Sequence, residues 1–256
     1  MTDNPYTNQF RLDGRRAVLI GAGGIGREIA LALAAHGASV ICADKDVETA
    51  KATAAEIDGE AIALDVTDPH AVDQAARDAG EVDVLVLTAA MNVRKRILDY
   101  SLEEFDRVVG LNLRATFSVV QAFGRTMVER GRGSIVVFSS IRGYMVEPGQ
   151  SVYAATKAGA IQLVKTAAVE FGEAGVRVNA VAPGVVETPL TAQIKADEDW
   201  YRAYATKGAL GRWSQPSELT GAVVYLASDA ASFVTGSTLI VDGGWTAVDG
   251  RFTPPA

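Results

Sequence analysis

The chain has 256 residues, of which 48% are apolar and 21% charged, with a net charge of -7. That composition belongs to a globular protein with a sizeable core. It argues against a nucleic-acid or anionic-membrane binder, because phosphate attraction needs clustered Lys and Arg and no basic block occurs. No apolar run is long enough for a membrane span, and the first ten residues are polar, so secretion is not expected. One cysteine, Cys42, leaves no internal disulfide, which together with the polar N-terminus leads us to expect a cytoplasmic location. His36 and His70 are the two histidines, and no Cys/His/carboxylate spacing suggests a metal site.

Strand-like apolar runs alternate with helical patterns along the chain. Residues 17–20 read as a strand. Residues 25–36 follow as a helix, with Ile25, Ile29 and Leu33 four apart on one face and Gly37 as its stop. Residues 39–43 read as the next strand and 47–57 as the next helix. Further strands are predicted at 61–64, 82–87, 134–138, 176–181 and 238–241. Helices are predicted to begin near Pro69, Ser101 and Ser151, with another over 217–228. Such alternation means right-handed parallel crossovers, hence an open parallel sheet with helices on both faces. Functional residues are then expected just beyond the strands' carboxyl ends, where strand order reverses. We find no linker and expect one domain over 1–256. The strandless stretch 190–211, rich in aromatic and charged residues, is read as an excursion over the site, with a substrate lid at about 187–214.

Gly21, Ala22, Gly23, Gly24, Ile25 and Gly26 lie between the first strand and the first helix. Glycines there allow a tight turn, and the helix N-terminus offers free N–H groups to a pyrophosphate. Asp44 ends the second strand, 18 residues past Gly26. Its carboxylate can accept from both ribose hydroxyls of NAD and repel the extra phosphate of NADP; the competing reading is a helix cap before Val47. Lys45 keeps NADP open as the less favoured cofactor. Asp65, after the third strand, is placed to meet the adenine, or is a turn residue.

Tyr153 and Lys157 are four apart, so a helix puts phenol and ammonium on one face. A phenol near pKa 10 is a poor base at neutral pH, and a neighbouring cation lowers that value. The pair can then exchange a proton with an alcohol or ketone. Ser140 follows a strand and lies 13 residues before Tyr153, where its hydroxyl can hold the substrate oxygen. Asn112 sits within a helical pattern among Val108, Val109, Leu111 and Leu113, which implies a buried polar partner such as water.

These residues resemble the short-chain dehydrogenase/reductase family. The likeness runs from about residue 12 to 245. It includes Leu64, Asp65, Val66, Thr67 and Asp68; Asn112; Ser140; Tyr153 and Lys157 followed by Ala158 and Gly159; Arg177, Val178 and Asn179; Pro183 and Gly184 with Thr188; and Val241, Asp242, Gly243 and Gly244. The resemblance implies an α/β, Rossmann-type doubly wound, seven-stranded parallel sheet and a catalytic tetrad of Asn112, Ser140, Tyr153 and Lys157. Asn112 would hold a water linking Lys157 to solvent, and Lys157 would bind the nicotinamide ribose. Asp65 and Val66 would touch the adenine, and Thr188 with the turn at Pro183 and Gly184 would fix the nicotinamide amide. Ala89 and Val186 complete the expected cofactor set. The Asp242, Gly243, Gly244 ending resembles members that form homotetramers.

Two places depart from the family pattern. Ile20 replaces a Thr, and the turn from Gly21 to Gly26 is one residue short. Leu87, Thr88, Ala89 and Ala90 replace the usual Asn-Asn-Ala-Gly, whose Asn side chains tie the central strands together. Both touch the adenosine half of the cofactor site. The substrate pocket is expected to include Asn92, Arg142, Gln150, Val185 and Trp200, with Arg94 and Glu147 nearby. These polar groups favour a polyol, sugar or hydroxy acid over a steroid; the other reading leaves Arg94, Arg142 and Glu147 solvated at the rim. The reaction expected is NAD-dependent interconversion of a secondary alcohol and its ketone. The alternatives are an NADPH-dependent ketoreductase and a dinucleotide binder without turnover.

Overall fold

The computed structural model describes residues 4–248, so the first three and last eight residues of the expected 1–256 domain lie outside the described residues. A short turn α1 (Pro5–Asn8) leads into β1 (Arg16–Ile20), α2 (Ile25–Ala35), β2 (Ser39–Asp44), α3 (Val47–Ala55), β3 (Glu60–Ala63) and α4 (Pro69–Asp78). Then come β4 (Val84–Leu87), α5 (Leu102–Val109), α6 (Ala115–Arg130), β5 (Gly133–Phe138), α7 (Ser151–Gly172) and β6 (Val176–Pro183). The chain finishes with α8 (Ala192–Lys195), α9 (Glu198–Ala205), α10 (Thr220–Ala227) and β7 (Thr238–Val241). The helices start where the sequence offers caps. Asp46 accepts from the Glu48 amide, Asp68 from those of His70 and Ala71, and Ser101 forms a capping box with Glu104.

The seven strands form one sheet in the order β3-β2-β1-β4-β5-β6-β7, and every pairing is parallel. The central strands are apolar on both faces because both faces are covered. On one side Val18, Ile20, Leu85, Leu87, Ile135 and Val137 join a core under α4, α6 and α7. On the other, Ala17, Leu19, Val84, Val86, Val136 and Phe138 pack beneath α2 and α10. Alternate residues of one strand thus serve two cores, as the two-residue period requires. The order reverses between β1 and β4, so the turns after Ile20 and Leu87 open a crevice at the sheet's carboxyl edge.

Three local features were not legible in the sequence. The helical pattern around Asn112 is a π-turn, Gly110–Arg114, set between α5 and α6. The helix expected over 217–228 opens as a 3-10 turn, Pro216–Leu219, before α10 begins. The stretch 190–211 folds into α8 and α9 and builds its own small core, where Ile194, Ala205 and Trp213 are buried and Trp213 stacks on Tyr201 with centroids 4.8 Å apart.

Candidate active site

The glycine turn closes tightly despite its missing residue. Gly21 and Gly24 take φ of 94° and 51°, which an L side chain rarely adopts. A Cβ on Gly26 would stand 1.8 Å from the Gly21 carbonyl oxygen, so helix α2 can approach β1 only without one. On Gly24 a Cβ would meet nothing nearer than the Pro189 ring at 3.9 Å. The turn therefore faces open space bounded by the segment that follows β6. The shape fits a dinucleotide: a close backbone at the start of α2, with the turn after β6 across the gap.

Asp44 is not a helix cap; Asp46 does that work. The Asp44 Oδ2 accepts from the Ala22 amide at 2.9 Å and Oδ1 from the Asp46 amide at 3.0 Å. A carboxylate has about four acceptor sites, so ribose hydroxyls could still bind there. Asp65 serves as the turn residue that the sequence allowed. It accepts from the Thr67 amide at 3.0 Å and pairs with Lys45 at 2.7 Å, and the Lys45 ammonium and Thr67 hold its carboxyl down at about 2. Lys45, the cation that left NADP open, is thereby engaged. Val66 and Val186 are buried in the two cores, so either would meet a cofactor through its backbone. Thr88 supplies the tie that the absent Asn residues would have made: its hydroxyl reaches the carbonyls of Ile20 at 3.1 Å and Gly21 at 2.8 Å. Ala89 sits beside it, partly buried against the core. Across the crevice, Pro183 ends β6, a Cβ on Gly184 would fall 2.8 Å from the Asp242 Cα, and the Thr188 amide donates to the Thr191 hydroxyl at 3.0 Å.

Ser140, Tyr153 and Lys157 come together beyond the end of β5. Lys157, 3% exposed, donates from Nζ to the Phe138 carbonyl at 2.8 Å, and Nζ lies 5.5 Å from the centroid of the Tyr153 ring. Burial lowers the ammonium's pKa to about 8. Burial also raises the Tyr153 phenol, and this outweighs the hydrogen bond from Ser140 and the charge of Arg142, which pull it down. Arg142 is thus a second cation beside the phenol, next to the Lys157 ammonium that the sequence pointed to. Asn112 is buried and has the polar partners that its apolar setting called for. Its Oδ1 accepts from the Met91 amide at 2.9 Å, and its Nδ2 donates to the Met91 carbonyl at 2.8 Å and to the Thr156 hydroxyl at 3.2 Å. The side chain thereby pins the segment after β4 to α7.

A cavity of about 160 Å³ opens on Ser140 and Tyr153. Asn92, Arg142, Gln150 and Val185 line it, as the sequence suggested, and Arg94 does as well. Arg142 is buried, not solvated at a rim. Trp200 is not on the wall; its ring stacks behind Arg94, with the guanidinium carbon 4.9 Å from the ring centroid. Sequence reasoning missed Tyr204, Thr191 and Gln193, which also line the cavity. The four-residue spacing of Trp200 and Tyr204 on α9 was the available signal. Glu147 binds the two arginines, from Arg94 Nη1 and from Arg142 Nη2, both at 2.5 Å, and also takes Gln150 and the Tyr204 hydroxyl. Burial alone would raise its carboxyl; the donors, Tyr204 and Arg142 foremost, more than reverse that.

The comparisons with known proteins agree with this geometry. A family described as enoyl-(acyl carrier protein) reductase matches residues 21–246. The gluconate 5-dehydrogenase of Gluconobacter oxydans is 37% identical over 251 residues, covering 94% of this chain and 98% of that protein. The galactitol 2-dehydrogenase (L-tagatose-forming) of Cereibacter sphaeroides is 39% identical over 251 residues, with coverage of 94% and 98%. Among solved structures, a gluconate 5-dehydrogenase from Burkholderia cenocepacia J2315 in complex with NADP and tartrate superposes with a TM-score of 0.91 at 33% identity, covering 95% of this chain and 99% of that one. With the seven-stranded sheet and the grouping of Ser140, Tyr153 and Lys157, these matches show that the chain belongs to the short-chain dehydrogenase/reductase family.

Proposed function

We propose that this oxidoreductase interconverts a polyhydroxylated secondary alcohol and its ketone, using NAD, with Tyr153 as the acid/base. The observation that carries the reading is the Tyr153 phenol, under the influence of the Ser140 hydroxyl, on the wall of a polar cavity that the Gly184 turn after β6 also lines. In oxidation Tyr153 takes the substrate hydroxyl proton while Ser140 holds the same oxygen. Arg142 favours the phenolate form that this transfer needs. Lys157, fixed on the Phe138 carbonyl, lies behind the phenol, where it would meet the nicotinamide ribose. The nicotinamide, when bound, supplies the hydride acceptor. The cavity's wall, with Asn92, Arg94, Arg142 and Gln150 on it, suits a hydroxylated substrate better than a steroid or a long acyl chain.

Asp44 supports NAD over NADP: a carboxylate at the ribose edge repels a 2′-phosphate, and Lys45, the nearest cation in sequence, is paired with Asp65. The homotetramer and the cytoplasmic location expected from the sequence belong to the same reading, and light scattering of the purified protein checks the former. The functional test is a screen of polyols, sugars and hydroxy acids for reduction of NAD and NADP. Turnover of at least one with NAD as the better cofactor is expected. Inactivity towards the whole panel, alongside NADPH-driven reduction of 3-oxoacyl esters, would transfer the assignment to a ketoreductase.

A further inference from the structure

The charges at the cavity are lopsided. In a chain of net charge -7, its wall carries two guanidiniums, Arg94 and Arg142, and among the described residues no Asp or Glu lines it. The one carboxylate in contact, Glu147, stands behind the arginines and takes a single Nη from each. Each guanidinium has five N–H donors in a rigid fork suited to a carboxylate. Arg142 is held in place by the 5.5 Å contact of its guanidinium with the Trp245 ring and by its backbone amide, which donates to the Ser140 hydroxyl at 3.1 Å. Trp200 backs Arg94. Glu147 is saturated by Arg94, Arg142, Gln150 and Tyr204, so it has little left to offer a substrate hydroxyl. On the same wall the Asn92 Oδ1 is buried with no partner among the described residues, while its Nδ2 donates to Gln150 at 3.2 Å. An orphaned acceptor there asks for a hydroxyl donor from a ligand.

Resting on the dehydrogenase reading above, we infer that the substrate is a sugar acid: a polyhydroxylated chain whose carboxylate is held by Arg142 and Arg94. One of its hydroxyls donates to Asn92 Oδ1, and the reacting carbinol lies at Ser140 and Tyr153. Glu147 is a positioning residue that offsets half of the guanidinium charge and holds both forks before substrate arrives. A neutral alditol would leave one guanidinium charge without a counter-ion, which is the basis of the discrimination.

The test compares four- to six-carbon aldonates with the matching alditols, D-gluconate against D-glucitol among them, by NAD reduction. The best aldonate should exceed its alditol in kcat/KM by roughly 10- to 100-fold. Arg142→Met and, as a second variant, Arg94→Gln should collapse that ratio. Glu147→Gln should move the other way, lowering the aldonate KM because an opposing carboxylate is gone, an effect that a merely structural Glu147 would not produce. Alditols turned over as well as aldonates, or a preference that survives both arginine variants, would overturn the inference and leave the dehydrogenase reading standing. If neither class is turned over, nor any member of the wider panel of sugars and hydroxy acids, that reading fails. The carboxylate site is then decided by the thermal shift of the NADH-loaded protein: stabilisation by D-gluconate that Arg142→Met abolishes supports it, and no stabilisation overturns it.

Discussion

The Lys157 ammonium lies 5.5 Å from the centre of the Tyr153 ring but spends its hydrogen bond on the Phe138 carbonyl, 2.8 Å away. The end of β5 therefore fixes the lysine, and α7 carries both side chains on one face. The phenol is free to meet substrate, with Ser140 and Arg142 countering the burial that raises its pKa. Removing the hydroxyl should stop proton transfer and little else. For Tyr153→Phe we expect turnover to fall by roughly 10²- to 10⁴-fold, the range for a lost general acid/base. Its NAD affinity, followed by fluorescence titration, should stay close to that of the parent. Substantial turnover by the variant would remove Tyr153 from the reaction.

Lys157 also gives the fold a pH signature. Burial brings its pKa to about 8, against an ordinary lysine value near 10.4. Between those values the unfolded chain holds a proton that the folded chain has released. Stability then rises with pH across the window, and the cost of the buried charge is in full force below pH 8. Lys157→Met has no such term. The melting temperature of the parent, measured without cofactor from pH 7 to about 9.5, should climb relative to that of the variant. A constant difference between the two would show that Lys157 does not titrate there.

Asp44 carries two roles that one substitution separates. Its Oδ2 holds the Ala22 amide at 2.9 Å, which braces the shortened turn, and in the function proposed above its charge repels a ribose phosphate. Asp44→Ser should lower stability by about 1–2 kcal/mol as the amide loses its charged acceptor, seen in urea melts. It should also shift the ratio of NAD to NADP efficiency towards NADP by roughly 10-fold or more as a like-charge repulsion disappears. An unchanged ratio would mean that something other than Asp44 sets cofactor preference.

Elements governed by short-range rules were legible in the sequence. Caps such as Asp68 and Ser101 and apolar strands such as residues 134–138 mark their own positions, and the repeated alternation of strand and helix dictates a parallel sheet. Tyr153, Lys157 and Ser140 were legible because helical spacing and a strand end bring them together. What escaped depends on contacts far apart in the chain. Whether Arg142 lay at a rim or inside could not be decided until Glu147, Trp245 and Tyr204 were placed around it. The amide of Asn112 had several possible partners, and its attachment to Met91 depends on how the segment after β4 crosses α7. Thr88 looked like the loss of an Asn, yet a shorter side chain reaches the same strand, since Ile20 and Gly21 lie alongside it.

The glycine turn offers a pair of substitutions that differ in their effect on stability, because two of its glycines are there for different reasons. At Gly26 a Cβ would fall 1.8 Å from a backbone oxygen, and the helix would have to move away from β1. At Gly23 the nearest atom to a new Cβ is the Thr49 methyl at 3.4 Å, an ordinary contact, and φ there is not positive. The protein alone therefore tolerates Ala at Gly23. Gly26→Ala should destabilise the cofactor-free protein, with a loss of roughly 1–3 kcal/mol expected for forced overpacking, and weaken NAD binding as a consequence. Gly23→Ala should leave the melting temperature of the cofactor-free protein almost unchanged, yet still weaken NAD binding, as expected of a pyrophosphate seated over this turn. Calorimetric titration of both variants with NAD, beside their melting curves, separates the two effects. If Gly23→Ala binds NAD as the parent does, the pyrophosphate does not lie over this turn.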